Sequence, residues 1–329
     1  MSSFFLGLDT SCYTTSLAFA DQDGRIVQDR RRVLTVETGA RGLRQSEALF
    51  QHLKNLPDLV EASAAFRPLQ GVAFSARPRP VEGSYLPVFL AGANFARAIA
   101  ATAGVPLLSS SHQEGHIRAA LADSGLTSDA FLGLHLSGGT TELLAIKRQT
   151  TGFAIKLLGG TSDLHAGQMV DRIGVAMGLP FPAGPHLDAL VQEGKVETEG
   201  KLKLPVAVQG LTVSFSGPTS AALRLWKQKP DDRALALAVL NCLVESVFRL
   251  LKAGVATGEP GCHEVLLFGG VAANTYLRRE LTARLHRDLN GIKVYFGKPA
   301  LSADNAVGLA LLARDGLAAA EKGGSQLGE

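Results

Sequence analysis

The chain has 329 residues, 46% hydrophobic and 19% charged, and its 33 basic and 30 acidic residues leave a net charge of +3. This length suits two domains or two lobes of one unit, and the apolar fraction suits a sizeable core, which excludes a disordered chain. The near-balanced charge does not point to a dedicated nucleic-acid binder but leaves room for RNA contact through a local patch, and the runs Arg30, Arg31, Arg32 and Arg77 with Arg79 read first as solvated faces.

In chain order, residues 4–8 predict a short buried strand ending in Asp9, Thr10 and Ser11. A second strand over 14–20 follows, then a turn at Asp21 to Gly24 and a third strand over 25–36. Leu49, Leu53 and Leu56 at helical spacing predict a helix over 45–66, with Pro57 interrupting it. A buried strand over 69–75, an alanine-rich helix over 89–103 and a strand from Pro106 complete this half. Three strands, then helix, strand, helix, strand is the plan of half an actin-like ATPase.

The same order begins again at Ala130. Strands are predicted over 131–136, 142–147 and 153–158, with helices over 165–177 and 231–256. The second of these is apolar on nearly all faces and so buried. A strand over 264–268, a helix over 275–286, a strand over 293–296 and a closing helix over 304–320 follow. The expected fold is therefore α/β, a duplicated actin-like ATPase with two lobes, 1–126 and 127–329. The stretch 180–220, rich in Gly and Pro, reads as an insert near a cleft, and the last helix is a candidate to pack on the N-terminal lobe.

Cys12, Cys242 and Cys262 lie far apart with no metal-knuckle spacing, which points to a reducing cytosol, and Cys12 is expected as strand-end packing. The opening MSSFFLGLDTS has no basic leader and no long apolar run. The expectation is a cytoplasmic protein without a membrane segment.

Three turns after strands carry the first chemical signal: Asp9-Thr10-Ser11, Ser137-Gly138-Gly139-Thr140 and Gly269-Gly270 running on to Asn274. Glycine lets backbone N–H groups approach a phosphate with no Cβ in the way, and a helix N-terminus adds a favourable dipole. Any one of them alone is an ordinary tight turn. Three at matching places in a duplicated plan favour a nucleotide site, with His135 on the strand entering the second turn.

His112 and His116 stand four residues apart, on one face of a helix, where two imidazoles can share a metal. Asp304, at the predicted start of the closing helix, supplies a third ligand; the alternative makes it a helix N-cap and the histidines surface residues. A zinc peptidase needs Glu directly beside the first His, whereas Glu114 stands one position later and points off the ligand face. Asp163, Asp171 and Asp188 are further carboxylates of the second lobe, and Asp163 and Asp171 read either as groups that orient a ribose or a metal-bound water, or as helix-surface charges.

Seven motifs in order, LGLDTSCYTTSLA, HQEGH, LSGGTTELLAI, AGQMVDRIGVAMGLPFPAGP, VSFSG, GGVAAN and SADN, resemble the threonylcarbamoyladenosine synthase family, the TsaD-like proteins once called glycoproteases. The resemblance runs from about Leu6 to about Ala313. It implies transfer of a threonylcarbamoyl group from threonylcarbamoyl-AMP to an adenosine of tRNA. It also implies one iron or zinc ion on His112, His116 and Asp304, with threonylcarbamoyl-AMP or ATP bound near Ser137, Gly138, Gly139, Asp171, Gly184 and Asn274; the turns themselves add Ser11, His135, Thr140, Gly269 and Gly270 as binding candidates. Asp9 and Asp163 are the catalytic candidates. The partners implied are tRNA, a smaller TsaB-like paralogue and an ATPase, in a homo- or heterodimer.

The sequence departs from the family pattern at several polar positions. Tyr13-Thr14 replaces an acidic pair, Thr140 a histidine, Pro218-Thr219 a Leu-Lys pair and Gln168 an acidic residue, while Arg77-Pro78-Arg79-Pro80 replaces a glycine-rich turn. These departures keep alternatives open: a nucleotide-binding paralogue with a regulatory or subunit role, an altered carbamoyl acceptor and, last, a metallopeptidase.

Overall fold

Strand β1 (Phe4–Asp9) is buried along almost its whole length, the signature of a central strand covered on both faces. It pairs antiparallel with β2 (Thr14–Asp21) and parallel with β4 (Leu69–Arg77). β3 (Ile26–Val33) and β5 (Leu107–Ser111) complete a five-stranded sheet in the order β3-β2-β1-β4-β5. The computed structural model describes residues 3–11, 13–36, 43–192 and 202–324. Cys12, expected as strand-end packing, lies outside them.

Chain contacts define two units, the first made of Met1–Ala122, Arg148–Ala154 and Ala303–Glu329, the second of Asp123–Lys147 and Ile155–Ser302. In the first, helices α1 (Gln45–Glu61) and α2 (Phe89–Ala103) accompany the sheet, whose core holds Leu8, Leu17, Val72 and Ala96. Helix α1 runs through Pro57 and ends earlier than its apolar spacing suggested. Helix α3 (His112–Leu121) follows β5 directly.

The second unit repeats the topology with β6 (Ala130–Leu136), β7 (Thr141–Arg148), β8 (Phe153–Thr161), β11 (Glu264–Phe268) and β12 (Lys293–Phe296), in the order β8-β7-β6-β11-β12. A hairpin of β9 (Ala207–Gln209) and β10 (Thr212–Ser214) extends the β8 edge, with β10 parallel to β8. The stretch 180–220, read from its glycines and prolines as an insert, contributes these strands together with α5 (Gly184–Gln192) and the start of α6 (Ser216–Trp226). Its residues 193–201 lie outside the described chain. Its glycines and prolines masked short elements whose stability comes from docking on a sheet edge, not from their own pattern.

Helices α4 (Ala166–Ala176), α7 (Asp232–Val255) and α8 (Thr275–Asp288) complete the second unit. Helix α7 is long and apolar enough to cross a membrane, but most of its residues are buried in the core around Leu132, Leu134, Leu243 and Val265.

The last helix, α9 (Val307–Gly324), packs on α3, β1 and β4 of the first unit. The approach is close enough that a Cβ on Gly308 would stand 1.8 Å from the Gly115 carbonyl oxygen. Only glycine fits where two helix backbones come this near. This contact fixes the chain just ahead of α9 beside α3.

Candidate metal centre and nucleotide turns

Helix α3 begins at His112 because Ser111 caps it. Ser111 Oγ accepts from Glu114 N at 3.2 Å, and Glu114 Oε2 accepts from Ser111 N at 2.9 Å, a reciprocal capping box. The pattern Ser111-x-x-Glu114 was legible in the sequence as a helix start, a role that the peptidase comparison had hidden. Glu114 Oε2 also accepts from the Ser110 and Ser111 hydroxyls at 3.0 and 2.7 Å, and Oε1 accepts from Phe153 N at 3.4 Å. A buried carboxylate with this many donors holds structure and is not free to activate water. The peptidase reading loses its base.

Capping places His112 and His116 on one face, and their Nε2 atoms lie 3.0 Å apart. Asp304 Oδ1 lies 3.3 Å from His116 Nε2 and 3.6 Å from His112 Nε2. Asp304 does not take the alternative role of helix cap: α9 begins at Val307, whose N–H donates to Asn305 Oδ1 at 3.0 Å. Asn305 does the capping, which leaves the Asp304 carboxylate turned to the histidines.

A single ligand atom can be drawn from each of the three residues such that all lie within 4.8 Å of one another. A tetrahedral ion at ordinary zinc–nitrogen distances holds its ligands about 3.3–3.4 Å apart. The observed 3.0–3.6 Å spacing brackets that value, and the donor set, two imidazoles and a carboxylate, suits zinc or iron. The residues fit a divalent ion. Three protein ligands, in place of four, are the pattern of a metal that keeps a position open for substrate.

Two further groups of the first unit meet His112. Asp9, buried at the end of β1, presents Oδ2 to His112 Nδ1 at 2.7 Å, and its Oδ1 accepts from Ser11 N at 2.7 Å. Ser11 Oγ lies 3.5 Å from His112 Nε2. Burial raises the Asp9 carboxyl, but His112 and the Ser11 bonds outweigh it and bring it below the ordinary range. Burial likewise lowers the His112 imidazole, but Asp9 first and then Asp304 lift it to about 9. A divalent cation competes for the same Nε2 position as that proton.

In the second unit the turn after β6 and the turn after β11 meet at the C-terminal end of β6. Ser137 Oγ accepts from Gly139 N and Thr140 N, at 3.2 and 3.0 Å, which shapes the turn. Gly167 N, in the first turn of α4, donates to Ser137 O at 3.1 Å. Gly269 has φ +96°, and a Cβ there would stand 2.4 Å from the Leu136 carbonyl oxygen, so the third turn lies against the end of β6. At Gly138, Gly139 and Gly270 an added Cβ would meet nothing within 4 Å. Packing does not demand these three glycines, and their missing side chains leave space that no described protein atom uses.

Asp171 on α4 accepts from Ala183 N at 2.8 Å, beside Gly184 at the start of α5, and partial burial raises its pKa. Asn274 Oδ1 caps α8 by accepting from Leu277 N at 2.8 Å. Asp188 of α5 accepts from the N–H groups of Thr275 and Tyr276, at 2.8 and 3.1 Å, a role that sequence spacing gave no sign of. His135 is buried and stacked on Phe268, with ring centroids 4.7 Å apart.

Asp163 is claimed by structure. It accepts from Phe215 N at 2.9 Å, Leu164 N at 2.6 Å and the Ser214 and Ser216 hydroxyls, both at 2.5 Å, and these bonds outweigh partial desolvation to hold its pKa far down. Among the departures, Pro218 lies in the first turn of α6, where its missing N–H costs nothing, and Gln168 accepts from His165 N at 3.1 Å.

The repeated sheets have the actin-like ATPase fold. The activator of the 2-hydroxyisocaproyl-CoA dehydratase from Clostridium difficile, solved with ADPNP bound, shares the fold with a TM-score of 0.53 at 13% identity, over 98% of this chain and 97% of that one. The profile of the family TsaD, tRNA N6-adenosine threonylcarbamoyltransferase, matches residues 37–311. The chain is 32% identical to the tRNA N6-adenosine threonylcarbamoyltransferase of Methanopyrus kandleri, over 97% of this chain and 88% of that protein. It is 28% identical to the protein of the same name from Thermotoga neapolitana, over 97% and 94%. The chain belongs to the TsaD family.

Proposed function

We propose that the chain transfers a threonylcarbamoyl group from threonylcarbamoyl-AMP to adenosine in tRNA, with a divalent ion, iron or zinc, held by His112, His116 and Asp304. The observation that carries this reading is the three-ligand cluster in a chain of the TsaD family, with its donor atoms spaced for one ion. Such an ion, when bound, polarises a carbonyl or phosphoryl oxygen. The chain's own residues do the rest. Ser137, Gly138 and Gly139 offer a turn with unfilled space for the nucleotide, Gly269 and Gly270 line the same strand end, and Asn274 sets the start of α8. Asp171, Gly184 and His135 are further candidates to contact the nucleotide, and the Thr140 carbonyl closes the turn by accepting from Ser137 N at 2.8 Å.

The acceptor is the adenosine amine, which attacks the activated carbonyl as AMP leaves. The reaction is tested by incubating the protein with threonylcarbamoyl-AMP and tRNA, with a smaller TsaB-like paralogue and an ATPase partner added, and analysing digested tRNA by mass spectrometry. Threonylcarbamoyladenosine is the expected product. Its absence beside a competent family member would reject the reading in favour of a paralogue that binds nucleotide without transfer.

A further inference from the structure

Asp9 was a catalytic candidate by sequence, and its surroundings assign it different work. It is 1% exposed, and each of its oxygens already accepts a short bond from the protein: Oδ1 from Ser11 N and Oδ2 from His112 Nδ1, both 2.7 Å. Its neighbour Thr10 is equally committed, donating to Val88 O at 2.9 Å and accepting from Gly92 N at 3.1 Å. The end of β1 is thus locked on both sides, and the carboxylate is held on one ring nitrogen of His112.

We infer that Asp9 is the positioning residue of the metal centre, acting through His112 and never touching the substrate. This rests on the metal reading of the triad given above. A carboxylate on Nδ1 keeps the proton there, leaves Nε2 as the lone-pair donor, and fixes the ring so that Nε2 faces His116 and Asp304. It also makes the imidazole a more basic ligand. The Asp9–Ser11 bond stops the carboxylate from rotating away.

The test uses the full chain loaded with cobalt(II), whose visible absorption reports ligand geometry. Asp9→Asn, which keeps the size and loses the charge, is expected to weaken cobalt binding about 10–100-fold and to change the absorption bands. Its melting temperature before metal is added serves as the control for a purely structural role. Binding within threefold of wild type with unchanged bands overturns the proposal while leaving the metal reading intact. Failure of the wild type itself to take up cobalt would instead sink the metal reading.

A second measurement needs no variant. In zinc-loaded protein with ¹⁵N-labelled histidine, the His112 resonances should show a proton on Nδ1 and metal on Nε2. The opposite tautomer overturns the inference even if Asp9→Asn does not fold.

Discussion

The turn after β1 and the turn after β6 occupy the same place in the repeated topology, yet they are finished in opposite ways. In the first unit the side chains of the turn are spent on protein: Asp9 on His112 and Thr10 on α2. In the second unit Gly138 and Gly139 leave space that no described atom fills, and Ser137 folds the turn upon itself. On the proposed reading, one copy of the duplicated turn supports a metal centre and the other stays open as a backbone cradle. Duplication supplies two equivalent strand ends, and the residues placed there decide which chemistry each receives.

That contrast can be broken from either side. The largest effect is expected from Gly308→Val, because the added carbon begins 1.8 Å from a backbone oxygen that cannot move aside. A loss of about 3 kcal/mol or more in urea unfolding is expected, together with loss of metal as Asp304 is displaced. Next, Glu114→Gln should cost about 1–3 kcal/mol of stability by weakening a buried, multiply bonded acceptor, with metal content unchanged. A peptidase base would show the reverse pattern, with lost activity at unchanged stability.

On the nucleotide side, Gly138→Val fills unused space. It should leave the melting temperature nearly unchanged and weaken nucleotide binding roughly tenfold, about 1.4 kcal/mol, read by calorimetry. The smallest effect belongs to Asp163→Asn. The Asp163 carboxylate is exposed, so its bonds are screened and the loss at pH 7 should stay below about 1 kcal/mol. Its folded pKa is depressed, so this stability is complete above the unfolded value of 3.8 and disappears as pH falls through the folded one. Wild type and variant should therefore differ in urea at pH 7 and converge at strongly acid pH.

Sequence periodicity made the sheets and most helices legible, because their apolar runs are long and their order repeats. It failed where stability is borrowed: α5, the β9–β10 hairpin and α6 dock on neighbours and carry little pattern of their own. The histidine pair was legible from its spacing, since four residues on a helix share a face. The Asp9–His112 bond was not, because it joins residues 103 positions apart and no local rule reaches that far. Asp304 was placed on the helix by propensity, whereas Asn305, its neighbour, makes the cap.

The most direct test of the metal centre is the metal content of the purified full chain beside that of His116→Ala, with circular dichroism confirming that both are folded. The account predicts about one zinc or iron ion per wild-type chain and almost none in the variant. Wild-type protein that holds no stoichiometric metal when offered zinc or iron, or a folded variant that holds as much as wild type, would contradict it.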